Sequence, residues 1–151
     1  MECIIRAAGS GDAAAISQVV IAALRESNAQ DYPPEVIVQV ECSFGPDAVR
    51  TLIDKRRVFV AVLEGRIIGM ASLDGEVVRS VFVDPECQGG GVGRQLLGVV
   101  HAAAADAGIA VLRVPSSITA EAFYAALGYR KIRDEFHGAE RTIVMEKWLD
   151  F

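Results

Sequence analysis

The chain is poor in the features that would tie it to an oxidising compartment, a membrane or a nucleic acid. Only three of its 151 residues are cysteine, Cys3, Cys42 and Cys87. They are odd in number and far apart, with no Cys-x-x-Cys pair and no neighbouring histidine to complete a zinc set. No disulfide framework or metal site is expected, and a reducing, cytoplasmic setting is. No apolar stretch approaches the ~18 residues that a membrane helix needs, and Met1-Glu2-Cys3-Ile4-Ile5-Arg6 lacks a basic region followed by an apolar one. Export and membrane insertion are therefore not expected. Positive charge is also short: 15 Lys and Arg against 20 Asp and Glu leave −5, and Lys55-Arg56-Arg57 is the longest basic run. Nucleic acids and anionic lipid surfaces are held mainly by clustered Lys and Arg, so neither is an expected partner.

What remains, 52% apolar and 23% charged residues, is the balance of a globular chain. A chain of this length buries roughly two-thirds of its unfolded surface and needs no staple. With no repeat, low-complexity tract or linker, residues 1–151 are expected to form one domain.

Hydrophobic periodicity predicts the elements. Cys3 to Arg6 reads as a strand. Ser10-Gly11-Asp12 offers a cap for a helix to about Arg25, whose Ile16, Val19, Val20, Ala23 and Leu24 share a face. Ser27 to Pro34 is a loop, followed by a short helix through Val40, and Gly45-Pro46-Asp47 restarts a helix to about Asp54. Val58 to Leu63, apolar on both faces, reads as a central strand. Glu64-Gly65 turns into Arg66 to Leu73, and Asp74-Gly75 turns into Glu76 to Val83, an antiparallel meander. A long helix runs from Val92 to Ala107 with Gly108 as its stop. Ile109 to Val114 is a strand, Thr119 to Leu127 a helix, and Tyr129 to Trp148 two strands around Gly138. The fold class is α+β, a mixed and mostly antiparallel sheet with helices on both faces.

The most informative stretch runs from Val81-Phe82-Val83 through Asp84-Pro85 to Gln88-Gly89-Gly90-Gly91-Val92-Gly93-Arg94. A strand, a glycine-rich loop and a helix start in that order make an anion cradle. Glycines let backbone N–H groups converge, and the helix N-terminus adds unpaired donors and a partial positive charge. A P-loop would continue Gly-Lys-Ser/Thr, but Arg94-Gln95 follows Gly93. A dinucleotide fingerprint would want glycine or alanine where Leu96 stands.

Gln88-x-x-Gly91-x-Gly93 after this strand resembles the Gln/Arg-x-x-Gly-x-Gly/Ala loop of the GNAT superfamily, the acyl-CoA-dependent N-acyltransferases. Ser117-x-x-Ala120-x-x-Phe123-Tyr124-x-x-Leu127-Gly128-Tyr129 is similar to a second segment of that superfamily, at the expected distance downstream. The likeness covers nearly the whole chain. It implies a GNAT fold and acetyl-CoA as cosubstrate, with no metal. The backbone of Val81, Phe82 and Val83 would hold the pantetheine arm and polarise the thioester carbonyl. Gln88, Gly89, Gly90, Gly91, Val92, Gly93 and Arg94 would hold the pyrophosphate, Ser117 would join the cofactor site, and Tyr124 would protonate the leaving thiolate.

Glu76, at the start of the fourth predicted strand, is the candidate base for the amine, with Glu26 and Asp31 as alternatives. Alternation would put it on one face with Val78, Ser80 and Phe82. The acceptor, a small-molecule or peptide amine, is expected beside the weakly patterned Arg25 to Phe44 segment, including Ser27, Asn28, Asp31 and Tyr32. Cys87, His101 and His137 are read as bystanders. Two further readings stay open: a non-catalytic acyl-CoA-binding module of the same fold, and association into a homodimer.

Overall fold

The structure, a computed structural model, describes residues 3–149, so the extreme ends of the expected 1–151 domain lie outside the described residues. Seven strands form one sheet: β1 (Ile4–Ala7), β2 (Arg57–Leu63), β3 (Arg66–Asp74), β4 (Val77–Val83), β5 (Val111–Ser116), β6 (Arg130–His137) and β7 (Glu140–Trp148). Their order is β1-β2-β3-β4-β5-β7-β6, antiparallel except for the β4–β5 pair. The helices are α1 (Ala13–Glu26), α2 (Pro34–Cys42), α3 (Pro46–Lys55), α4 (Val92–Asp106) and α5 (Glu121–Ala126).

The sheet separates two cores. On one face α1, α2 and α3 bury Ile16, Val20, Leu24, Ile37 and Val49 against Val58, Val60 and Met70; on the other, α4 and α5 bury Leu96, Leu97, Val100 and Tyr124 against Phe59, Ala61, Ile68 and Leu112. Alternate residues of β2 thus feed opposite cores, as its two-sided apolar pattern requires. Leu96, Leu97 and Val100 are fully buried, each worth about 1.5–3 kcal/mol.

Element types follow the sequence reading; α2 runs on to Cys42 and α5 is confined to Glu121–Ala126, and three other boundaries differ for physical reasons. First, Ser10-Gly11-Asp12 forms a 3-10 turn ahead of α1 instead of a cap on it. The Asp12 carboxylate accepts from the Gly9 N–H at 2.8 Å and from Arg6 at 2.8 Å.

Second, the hairpin before β4 turns on Gly75-Glu76, with Asp74 paired to Val77. Gly75 takes φ +59° at the first central position, as a II′ turn asks. Glu76 therefore lies in the turn and not on the strand.

Third, β5 starts later and runs through Pro115. Gly108 (φ +79°) and the Ile109 N–H bond to Ala104 O (3.0 Å) are spent closing α4. Leu149 N–H bonds Ala110 O at 2.8 Å, so alternation turns residues 112, 114 and 116 toward β7 and 111, 113 and 115 toward β4. Pro115 thus lacks its N–H on the side where no ladder continues, and the strand tolerates it.

Candidate functional site

The parallel strands β4 and β5 meet only at Val77 and Arg113, where the Arg113 N–H bonds Glu76 O at 3.0 Å. Beyond that point they splay into a V, and local sequence explains why. On β5 the next residue facing β4 is Pro115, which has no N–H to extend the pairing. On β4 the register passes from Ser72↔Arg79 to Met70↔Phe82, leaving Ser80 and Val81 opposite Ala71 alone. Ser80 has φ +55°. Such a bulge bends and twists its strand, and the Ser72 hydroxyl donates to Arg79 O beside it.

The bulge also breaks simple alternation. Val78 belongs to the α4 core, while Phe82 packs toward the α1–α3 core, edge-on to Phe44 with centroids 5.6 Å apart. The expected face of Glu76, Val78, Ser80 and Phe82 therefore does not exist.

The V opens into a cleft of about 770 Å³ crossing the sheet. On the α4 side it is lined by Val81, Val83, the loop after β4, Phe123 and Tyr124. On the α1–α2 side it is lined by Ser27, Asn28, Tyr32, Val36, Ile37, Val40 and Phe44. Asp84 N–H points into the sheet, bonding Ile68 O at 2.8 Å. By alternation, the N–H and C=O of Val83, and those of Val81 two residues before, point into the cleft. Apart from the Val83 carbonyl, which accepts from the Gln88 side chain, that leaves an open strand edge along one wall.

At the mouth of the V the glycine loop leads into α4. Gly89 and Gly91 both have φ +85°, a left-handed conformation that glycine adopts without penalty. Gly91 occupies the N-cap of α4, and the first N–H groups of this 15-residue helix face the loop with no intrahelical partner. Gly93 serves a different purpose. A Cβ there would stand 3.1 Å from Phe123 Cε1 and Cζ, so glycine lets α4 approach the ring that flanks Tyr124 without displacing it.

Gln88 does not point at the cradle as a side-chain donor. Its Nε2 donates to Val83 O at 3.1 Å and to Ser27 Oγ at 3.2 Å, pinning the loop between β4 and the end of α1. Arg94 lines the cleft from the first turn, and Gly90 is the one member of 88–94 outside the lining. Ser117 lines it too, its Oγ accepting from Ala120 N–H at 3.1 Å.

Tyr124 is 3% exposed, edge-on to Phe123 at 5.2 Å and to Tyr129 at 5.4 Å. Burial drives its phenol pKa far above the ordinary value, with Tyr129 adding a smaller push. It therefore carries its proton at any working pH. No fully enclosed side-chain oxygen or nitrogen lacks a partner among the described residues. The Tyr124 hydroxyl bonds no described group, so its tip must open on the cleft that the residue lines.

Glu76 is not brought to this site. It is exposed, in the turn at the closed end of the V, and absent from the lining. Asp31 is engaged instead by the Thr119 hydroxyl at 2.8 Å. His101 lies away from the cleft against Tyr129 at 2.8 Å, whereas Cys87 and His137, read as bystanders, do line it. Three lining side chains carry no sequence signal at all: Arg56, Arg79 and Glu140. They come from the end of α3, from β4 and from the β6–β7 hairpin, and only the fold puts them on one cleft. Among the described residues no three His, Cys, Asp or Glu side chains cluster as a metal site would need, and no helix is long and apolar enough to cross a membrane.

The acetyltransferase (GNAT) domain family matches residues 28–147. The chain belongs to the GNAT acetyltransferase family. Solved structures share the fold over nearly the full length. A GCN5-related N-acetyltransferase from Rhodopseudomonas palustris superposes with a TM-score of 0.94 at 23% identity, covering 99% of this chain and 97% of that one. The PaiA N-acetyltransferase from Thermoplasma acidophilum, solved with coenzyme A, gives 0.84 at 17% identity over 98% and 99%. YncA from Salmonella typhimurium, solved with its cofactor acetyl-CoA, gives 0.68 at 22% identity over 99% and 95%. No curated protein sequence matches the chain. This GNAT chain is thus an acyltransferase by family, with the strand edge, glycine cradle and buried phenol converging on one cleft.

Proposed function

We propose that the protein transfers an acetyl group from acetyl-CoA to a primary amine in a single ternary complex. The observation that carries this reading is the V between β4 and β5, which joins an anion cradle at its mouth to a proton-bearing Tyr124 on its wall. Two of the relatives sharing the fold were solved with coenzyme A or acetyl-CoA.

The backbone amides from Gln88 to Arg94 hold the pyrophosphate at the start of α4. The cleft-facing edge of Val81 and Val83 pairs with the amides of the pantetheine arm as a missing strand would. This sets the thioester carbonyl, the end of the arm farthest from the pyrophosphate, deeper in the V at the Val81 N–H, and that donor stabilises the negative charge that develops on the carbonyl oxygen during attack. The Phe82 N–H faces β3, and the Val83 N–H lies next to the cradle, where it meets the arm and not the thioester. The amine approaches from the α1–α2 side, where Glu140 and His137 can take up the proton it must lose. Its nitrogen forms a bond to the carbonyl carbon as the carbon–sulfur bond breaks. Tyr124 gives its proton to the departing sulfur and is reprotonated by the second hydrogen of the amine, leaving an amide and a free thiol.

Thiol release on offering acetyl-CoA with pools of primary amines tests the proposal. Amine-dependent release is expected. Saturable acetyl-CoA binding without any release would make the chain a binding module.

A further inference from the structure

The acceptor half of the cleft contains an imbalance of charge. Arg56 and Arg79 both line it, and the carboxylate nearest them is Asp74. Arg79 Nε bonds Asp74 Oδ2 at 3.2 Å, which leaves Arg56 Nε 4.0 Å from the same oxygen, beyond hydrogen-bond range. The Arg56 side chain is only 20% exposed, yet none of its donors has a hydrogen-bond partner among the described residues. Since fully enclosed polar atoms are all partnered, these donors are accessible, and the residue that carries them lines the cleft. Burial, and secondarily Arg79, disfavour the Arg56 charge while Asp74 only partly compensates. Glu140, the acid in the lining, stands at the other end of the V, where the Tyr32 hydroxyl bonds Arg141 O and Ile118 N–H.

A guanidinium on a largely buried side chain, with none of its planar fork of donors engaged by the protein, suits a carboxylate or a phosphate. We infer that the acceptor is a small amine that also bears an oxyanion, with Arg56 binding the anion and Arg79 beside it adding to the local positive charge. This rests on the acetyl-transfer reading and deepens it. Arg79 lies two residues before Val81 on β4, so the anion sits roughly 7 Å along the strand from the thioester position, less the reach of the side chains. Extended ω-amino acids suit that span better than a compact α-amino acid.

The test uses matched acceptors. β-Alanine and γ-aminobutyrate carry a carboxylate, their primary amides do not, and 2-aminoethyl phosphate against ethanolamine forms the phosphate pair. The wild type should show kcat/KM at least tenfold higher for the anionic member of one pair, which identifies carboxylate or phosphate as the ligand. Arg56→Gln should collapse that ratio about 10- to 100-fold with the acetyl-CoA KM unchanged. If Arg56→Gln fails to fold, Arg56→Lys, which keeps charge but not the fork, should lower the ratio part-way. Equal use of both members by the wild type, or an equal loss for both in the variant, overturns the inference. Calorimetry of the same acids with coenzyme A present separates the two readings. Should no amine be acetylated, the transfer proposal fails, while acid binding lost in Arg56→Gln still supports the anion site and absence of acid binding overturns it.

Discussion

Replacing Gly91 by Asp, with Asn as its control, isolates the electrostatics of the cradle. Gly91 has φ +85°, and a Cβ built on it meets nothing within 4 Å. Either side chain therefore fits without a clash, and both bear the same left-handed backbone cost, held to the low end of about 1–2 kcal/mol because Asn and Asp tolerate this region. Only the aspartate adds charge. Placed ~5 Å from a pyrophosphate of two negative charges, at an effective dielectric of about 40–80, it repels by about 1.7–3.3 kcal/mol before screening. A Debye length of ~8 Å at 0.15 M salt leaves about half of that, so acetyl-CoA should bind roughly 4- to 18-fold more weakly to Gly91→Asp than to Gly91→Asn. At 10 mM salt, where screening extends to ~30 Å, the gap should widen to about 10- to 100-fold. Titration calorimetry at the two salts measures it. Equal affinities for the two variants, or a gap that ignores salt, would refute the placement of the pyrophosphate at the start of α4.

Three further outcomes follow from the same geometry. Tyr124→Phe should leave acetyl-CoA affinity intact and lower kcat on the order of 10², which steady-state kinetics with any accepted amine reads directly. Tyr32→Phe removes the hydroxyl that accepts from Ile118 N–H at 2.7 Å and donates to Arg141 O at 2.9 Å. It should cost about 1–3 kcal/mol in urea melts and raise the acceptor KM with little change in that for acetyl-CoA. Burial raises the pKa of Tyr124 and of Tyr129 in the folded state, so the unfolded chain loses these protons first, at its ordinary value of about 10. Stability should thus hold below that pH and fall as pH rises above it, by about 1.4 kcal/mol per pH unit for each tyrosine. The slope in Tyr124→Phe should be shallower by one such increment.

The cradle was legible because its chemistry is local. Gly89 and Gly91 are favoured by a left-handed backbone, Gly93 by the close approach of Phe123, and Tyr124 travels with a helix of recognisable pattern. The acceptor half was only partly legible. Ser27, Asn28 and Tyr32 were expected there from the weak patterning of their segment, and they do line the cleft. Arg56, Arg79 and Glu140 come from three separate elements, and no spacing in the sequence announces that the fold will put them on one cleft.

Glu76 shows how one residue of register matters. With Gly75 taking the first central position of the turn, Glu76 leaves the strand, and the bulge at Ser80 then reverses which face each later residue serves. Alternation read from sequence has no means of seeing a bulge whose cause is a positive φ at a serine. The splay of β4 and β5 was half visible. Pro115 ended the predicted strand at Val114, yet its effect is to stop the β4 ladder while β5 continues against β7.

The central claim is that the V holds acetyl-CoA with its thioester beside Tyr124. A crystal structure of the protein with acetyl-CoA and without amine tests it most directly. The predicted result has the pyrophosphate within about 2.7–3.2 Å of backbone nitrogens between Gln88 and Arg94, the pantetheine amides along the Val81–Val83 edge, the carbonyl oxygen at the Val81 N–H and the sulfur at the Tyr124 hydroxyl. A pyrophosphate bound away from α4, or a thioester out of reach of Tyr124, would contradict the account.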